Sequence, residues 1–102
     1  MRELLEDMVA KGASDLHITT GSPPQLRIDG HVATTSFPVL TGDETRRLAY
    51  SILNEEQKKR FEMERELDFS FGVQGISRFR ANVFFQRGAV AGAFVGQTDF
   101  AR

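Results

Sequence analysis

The sequence predicts an α+β domain with a largely antiparallel sheet and helices packed on it. Three observations carry that expectation. Strand-like alternation opens and closes the chain, in 15–20 and again in 66–73 and 78–86. A capping signature, Thr41-Gly42-Asp43-Glu44, introduces helical patterning between them. The order strands, helices, strands, with short turns, favours antiparallel pairing. At 102 residues the chain suits one domain, and no repeat or linker divides it.

Arg2 to Lys11 reads as a short helix whose inner face holds Leu4, Leu5, Met8 and Val9. Lys11 suits its last turn, and Gly12 the left-handed position beyond it. Asp15 to Thr20 alternates, with Leu16 and Ile18 inward and Asp15, His17 and Thr19 outward. Gly21-Ser22-Pro23-Pro24 breaks the strand. Leu26 and Ile28 then alternate with Arg27 and Asp29, and Asp29-Gly30 makes a hairpin turn into a short strand near 31–34. The helix after Thr41 turns Leu48, Ala49, Ile52 and Leu53 inward. Asn54 can cap a second helix, Glu55 to about Glu64, that is mostly charged.

Glu66 to Val73 places Leu67, Phe69, Phe71 and Val73 on one face. Gln74-Gly75-Ile76 turns the chain. The next strand sends Phe79, Ala81, Val83 and Phe85 inward and Arg78, Arg80, Asn82, Phe84 and Gln86 outward. After the Arg87-Gly88 turn, 89–95 is a strand of small residues. Alanine is a poor strand former, so close packing against this strand is expected. Residues 96–102 are expected to fray.

Composition excludes several functions. Net charge is −1, so the molecule as a whole does not attract nucleic acid or anionic membranes. There is no cysteine, which removes disulfides, thiolate zinc sites and thiol nucleophiles. No apolar run approaches a membrane span, and the acids in MRELLEDMVA are unlike a signal peptide, so a cytoplasmic location is expected. His17 and His31 are the only histidines and lack metal-ligand spacing, so no metal site is expected. Exposed aromatics for stacking RNA bases are missing, because only Phe84 of the 78–85 strand faces outward.

Charge is uneven. From Thr41 to Asp68 eight acids face six bases, whereas from Phe69 onward Asp99 is the single acid against Arg78, Arg80, Arg87 and Arg102. Arg78 and Arg80 project from one strand face about 6.6 Å apart. Guanidinium forks so placed suit phosphate oxygens. They equally suit ion pairs with acids of the preceding strand. Two hairpin registers are open: one sets Ser70 opposite Arg80 and Asp68 opposite Asn82, the other Asp68 opposite Arg80 and Ser70 opposite Arg78.

Several stretches together resemble the PilT-type pilus retraction ATPases of the type II/IV secretion ATPase family. They are Ala13-Ser14-Asp15-Leu16-His17-Ile18, Pro23-Pro24-Gln25-Leu26-Arg27-Ile28-Asp29-Gly30, Glu66-Leu67-Asp68-Phe69-Ser70-Phe71 and the run from Arg78 to Gly88. The likeness extends from residue 1 to Phe94. It implies a PAS-like N-terminal domain, here 1–95, that works with a RecA-like ATPase domain in a hexamer beneath the inner membrane. ATP and Mg²⁺ would bind in the full-length protein. Its partners would be the RecA-like domain of the same and neighbouring subunits and the pilus inner-membrane platform protein. Arg80, with Arg78 beside it, matches the arginine-finger strand of the family, and Arg87 is a further candidate for nucleotide phosphate. Asp15 and His17 match a family motif and are expected to serve packing or interdomain contact.

Two features depart from the family. Val95 stands where it usually has Arg, and residues 96–102 do not match, which marks them as an expected disordered or non-native tail. No phosphate-binding Gly-x-x-x-x-Gly-Lys-Ser/Thr loop occurs in the 102 residues. The chain alone is therefore expected to hydrolyse no ATP. Two other readings remain: a free-standing PAS-like sensor of a small ligand, and a protein–protein adaptor.

Overall fold

Three helices pack on one face of a six-stranded, wholly antiparallel sheet in a computed structural model that describes residues 1–97. In chain order the elements are α1 (Arg2–Ala10), β1 (Asp15–Ile18), β2 (Gln25–Ile28), β3 (His31–Thr34), α2 (Gly42–Tyr50), α3 (Glu55–Glu64), β4 (Glu66–Val73), β5 (Ser77–Gln86) and β6 (Ala89–Gln97). The strand order is β3-β2-β1-β6-β5-β4. The opening hairpins and the closing meander are thus joined through the β1–β6 pair, whose residues lie more than seventy positions apart in sequence. This is the α+β arrangement expected from the sequence, an antiparallel sheet with helices packed on it.

Local chemistry fixes most boundaries. Gly12 follows α1 at φ 68°, the left-handed conformation that suits glycine. Asp29-Gly30 and Arg87-Gly88 both take positive φ at both residues, as two-residue hairpin turns require. Thr41 and Asn54 each form complete capping boxes, with Glu44 and Gln57 respectively. Helix α2 ends at Tyr50, and bonds from Ile52 N–H to the Ala49 carbonyl and from Leu53 N–H to the Tyr50 carbonyl tighten the exit. Of its expected stripe, Ala49 and Leu53 are buried and Leu48 and Ile52 half-buried, while Thr45 is buried as well.

The core lies between the helices and one sheet face. Leu4, Leu5 and Met8 of α1 meet Leu16, Ile18 and Leu26, and Phe61 of α3 stacks on Phe85 of β5 at 4.7 Å. Val9 differs from expectation: it is 48% exposed. It sits about 90° around the helix from the centre of the Leu4–Leu5–Met8 stripe, too far to reach the sheet.

The small residues of β6 divide between the faces. Val90, Gly92 and Phe94 point to the helices, and Ala89, Ala91, Ala93 and Val95 to the other side, as pairing with β5 dictates. The close packing expected along this strand falls on Gly92. A Cβ there would stand 3.1 Å from the Phe94 ring and 3.4 Å from Val83. Gly92→Ala is therefore expected to destabilise the domain by about 1–3 kcal/mol. A urea titration checks this, and an unchanged midpoint would contradict it.

β6 also runs past the expected boundary at 95. Gly96 pairs with Phe79 and Gln97 with Arg78, so the ladder holds both in register. The remaining residues of the expected tail, 98–102, lie outside the described residues. No helix among the described residues is long and apolar enough to cross a membrane.

Candidate functional site: the helix-free face of the sheet

Because all three helices cover one side, the other side of the sheet carries the polar halves of six alternating strands. Register orders them into rows. One row reads Val32, Arg27, Asp15, Val95, Arg80, Ser70 across β3, β2, β1, β6, β5 and β4. The next reads Thr34, Gln25, His17, Ala93, Asn82, Asp68. The β1–β6 pairing thus brings Asp15 and His17 onto the same face as Arg80, two strands or about 10 Å away. Ala93 and Val95 form a low strip between them.

The β4–β5 hairpin adopts the register with Ser70 opposite Arg80 and Asp68 opposite Asn82. Arg80 nevertheless bonds Asp68, on the diagonal. Its Nε donates to Asp68 Oδ1 at 3.2 Å and its Nη2 donates to Oδ2 at 3.1 Å. The hydrogen bond from Arg80 holds the Asp68 carboxyl below its ordinary pKa, and the same contact raises that of Arg80. Asn82 makes the same diagonal reach, donating to Glu66 Oε2 at 3.4 Å. Long side chains span such diagonal neighbours readily.

Arg78 behaves differently. It faces Gly72, and a Cβ at that glycine would stand 3.0 Å from Arg78 Nη1. The absent side chain lets the guanidinium lie across β4. Among the described residues no carboxylate forms an ion pair with Arg78. Arg87 does not join this pair. Seven residues separate it from Arg80, about 23 Å along the strand. It sits instead in the β5–β6 turn, beside a groove of about 430 Å³ with Thr19, Thr20 and Gln86.

Asp15 and His17 stand side by side on β1. His17 Nε2 lies 3.8 Å from Asp15 Oδ2 and has no hydrogen-bond partner. Ser14 Oγ donates to Asp15 Oδ1, and Arg27 Nε approaches Oδ2 at 4.0 Å. Arg27 is the member of this cluster that sequence reasoning did not single out. Its signal was present in the alternation of 25–28 and the Asp29-Gly30 turn, which set β2 beside β1.

The face offers two neighbouring, exposed guanidinium groups, and such forks suit oxyanions. Among the described residues no three His, Cys, Asp or Glu side chains gather as metal ligands would.

The architecture is that of a small α+β module with charged side chains on an open sheet face. Comparison with known proteins gives its kin. The chain is 48% identical over 90 residues to the type IV pilus retraction ATPase PilT of Pseudomonas aeruginosa, covering 87% of this chain and 26% of that protein. It is 39% identical over 88 residues to the pilus ATPase PilU of the same organism, covering 86% and 23%. A crystal structure of the pilus retraction motor PilT with bound ADP matches with a TM-score of 0.88 and 46% identity, over 94% of this chain and 28% of that one. The ATPase DotB of Legionella pneumophila shares the fold, with a TM-score of 0.80 at 21% identity over 96% of this chain and 28% of that one. No protein-family model matches the chain.

The chain is a homologue of the N-terminal domain of the PilT-type pilus retraction ATPases. It spans about a quarter of the length of these curated relatives.

Proposed function

We propose that this chain serves as the non-catalytic N-terminal domain of a pilus retraction motor, supplying Arg80 and Arg78 to an ATP site completed by a RecA-like domain. The observation that carries the reading is the pair of arginines on the helix-free face of a domain 48% identical to PilT. The PilT structure with bound ADP supports a nucleotide as the ligand of the assembled protein.

The chemistry asked of the arginines is limited. In phosphoryl transfer, charge builds on the transferring group, and a guanidinium placed there stabilises it. Arg80 and Arg78 would bind and orient phosphate oxygens. Mg²⁺ and the attacking water would be handled by the RecA-like domain. Arg87, at the far end of β5, would reach a phosphate only in a different arrangement of the domains. Asp15, His17 and Arg27 would form polar contacts with that domain or a neighbouring subunit. The full assembly would be a cytoplasmic hexamer, peripheral to the inner membrane, acting on the pilus through the membrane platform protein and producing twitching motility.

A direct test joins the chain to the RecA-like remainder of the Pseudomonas PilT in place of that protein's own N-terminal domain. The fusion is expected to hydrolyse ATP and the chain alone to release no phosphate. Steady hydrolysis by the free chain, abolished by Arg80→Ala, would contradict the reading.

A further inference from the structure

The Arg80 fork is occupied in the free domain. Asp68 takes both Nε–H and Nη2–H, the same edge of the guanidinium that would receive two phosphate oxygens. A carboxylate and a phosphate cannot share that edge. The contact is selective. Ser70 stands directly opposite Arg80, yet the arginine passes it to reach the diagonal acid. Neighbouring groups do not share the role, because Glu66 accepts from Asn82, and Arg78 lies over Gly72. One arginine of the pair is therefore clasped by a carboxylate, and the other forms no ion pair among the described residues.

The clasp is also weak enough to yield. The side chains of Arg80 and Asp68 are 66% and 49% exposed, and exposed ion pairs contribute little net stability. A phosphate chain carries several charges against the single charge of the carboxylate.

We infer that Asp68 is a competing anion built into the site: it holds the Arg80 fork in the free domain and is displaced when a phosphate chain binds. The inference rests on Arg80 being a phosphate-facing residue. Asp68 is then a positioning residue that keeps the fork oriented over the helix-free face. It also raises the anionic strength a ligand needs to recruit Arg80. Arg78, which has no such competitor among the described residues, would keep its fork available beside it.

The test titrates the isotope-labelled chain with inorganic tripolyphosphate at low ionic strength, reading the Nε–H signals of Arg78 and Arg80. Asp68→Asn is expected to bind about threefold more tightly than the unsubstituted chain, the size set by an exposed ion pair. Asp68→Glu keeps the competitor and should stay near the unsubstituted affinity. Glu66→Gln removes the same charge from the same strand without freeing Arg80, and should change affinity less than Asp68→Asn does. In an Arg80→Ala background, Asp68→Asn should do no more than Glu66→Gln does. Equal tightening by Glu66→Gln would reduce the effect to net charge and overturn the inference. Unchanged affinity in Asp68→Asn, or no binding by either protein, would overturn it too. The finger reading fails separately, through a fused motor that keeps its ATPase activity after Arg80→Ala. That outcome would leave the competition between Asp68 and a phosphate chain standing.

Discussion

Arg80→Ala in the fused motor is expected to lower kcat for ATP by roughly 10³-fold, the low end of what an arginine finger contributes. A guanidinium aimed at the transferring phosphoryl group gains most where charge develops, so its loss falls on kcat more than on KM. Arg80→Lys keeps the charge and loses the planar two-donor fork, and should fall between the parent and Arg80→Ala. Folding should barely register the change. The Arg80–Asp68 pair is exposed and screened by solvent, so it adds little net stability. A urea titration of the Arg80→Ala chain should therefore follow the parent closely while turnover collapses. Parent-like turnover in the substituted motor would contradict the assignment, and a large loss of stability would make the effect structural.

Phe94→Ala should do the opposite, destabilising the domain by about 3–5 kcal/mol. Phe94 is fully buried on β6, the strand that joins the two halves of the sheet. It pairs with Leu16 of β1 and Ala81 of β5, and its ring lies edge-on to Phe71 with centroids 6.5 Å apart. Gly92, pressed against the same ring, cannot fill the space left behind. Since a domain is held by only about 5–15 kcal/mol in all, the loss should shift the urea midpoint far down with little change in slope. A shift worth less than about 1 kcal/mol, the scale of surface changes, would mean that this face of β6 is not core.

Much of this arrangement is legible in the chain because local rules act over short distances. The period of two in 66–73 and 78–86 places four phenylalanines inward, at 69, 71, 79 and 85. The capping residues Thr41 and Asn54 and the turn pairs Asp29-Gly30 and Arg87-Gly88 act through their own backbone conformations, so each marks its element without help from the fold. The outward direction of Arg78 and Arg80 follows from the same alternation.

What could not be read depends on partners distant in sequence or on side-chain rotamers. Apolar matching left two registers for the β4–β5 hairpin. The structure adopts Ser70 opposite Arg80, yet realises the Asp68–Arg80 ion pair that the other register would have placed face to face. Spacing counts residues along a strand, and a four-bond side chain reaches past them. The β1–β6 pairing, which sets Asp15 and His17 on the arginine face, joins the two ends of the chain, and no local pattern encodes it. The extension of β6 through Gln97 has the same cause, since those residues are ordered by Phe79 and Arg78 rather than by their own propensity.

The assignment of Arg80 to a nucleotide phosphate is tested most directly by a crystal structure of the fused motor bound to a non-hydrolysable ATP analogue with Mg²⁺. Arg80 is expected detached from Asp68, with guanidinium nitrogens about 2.7–2.9 Å from phosphate oxygens. Arg80 still clasped by Asp68 in a fully occupied site, with no arginine of this face near the phosphates, would contradict it.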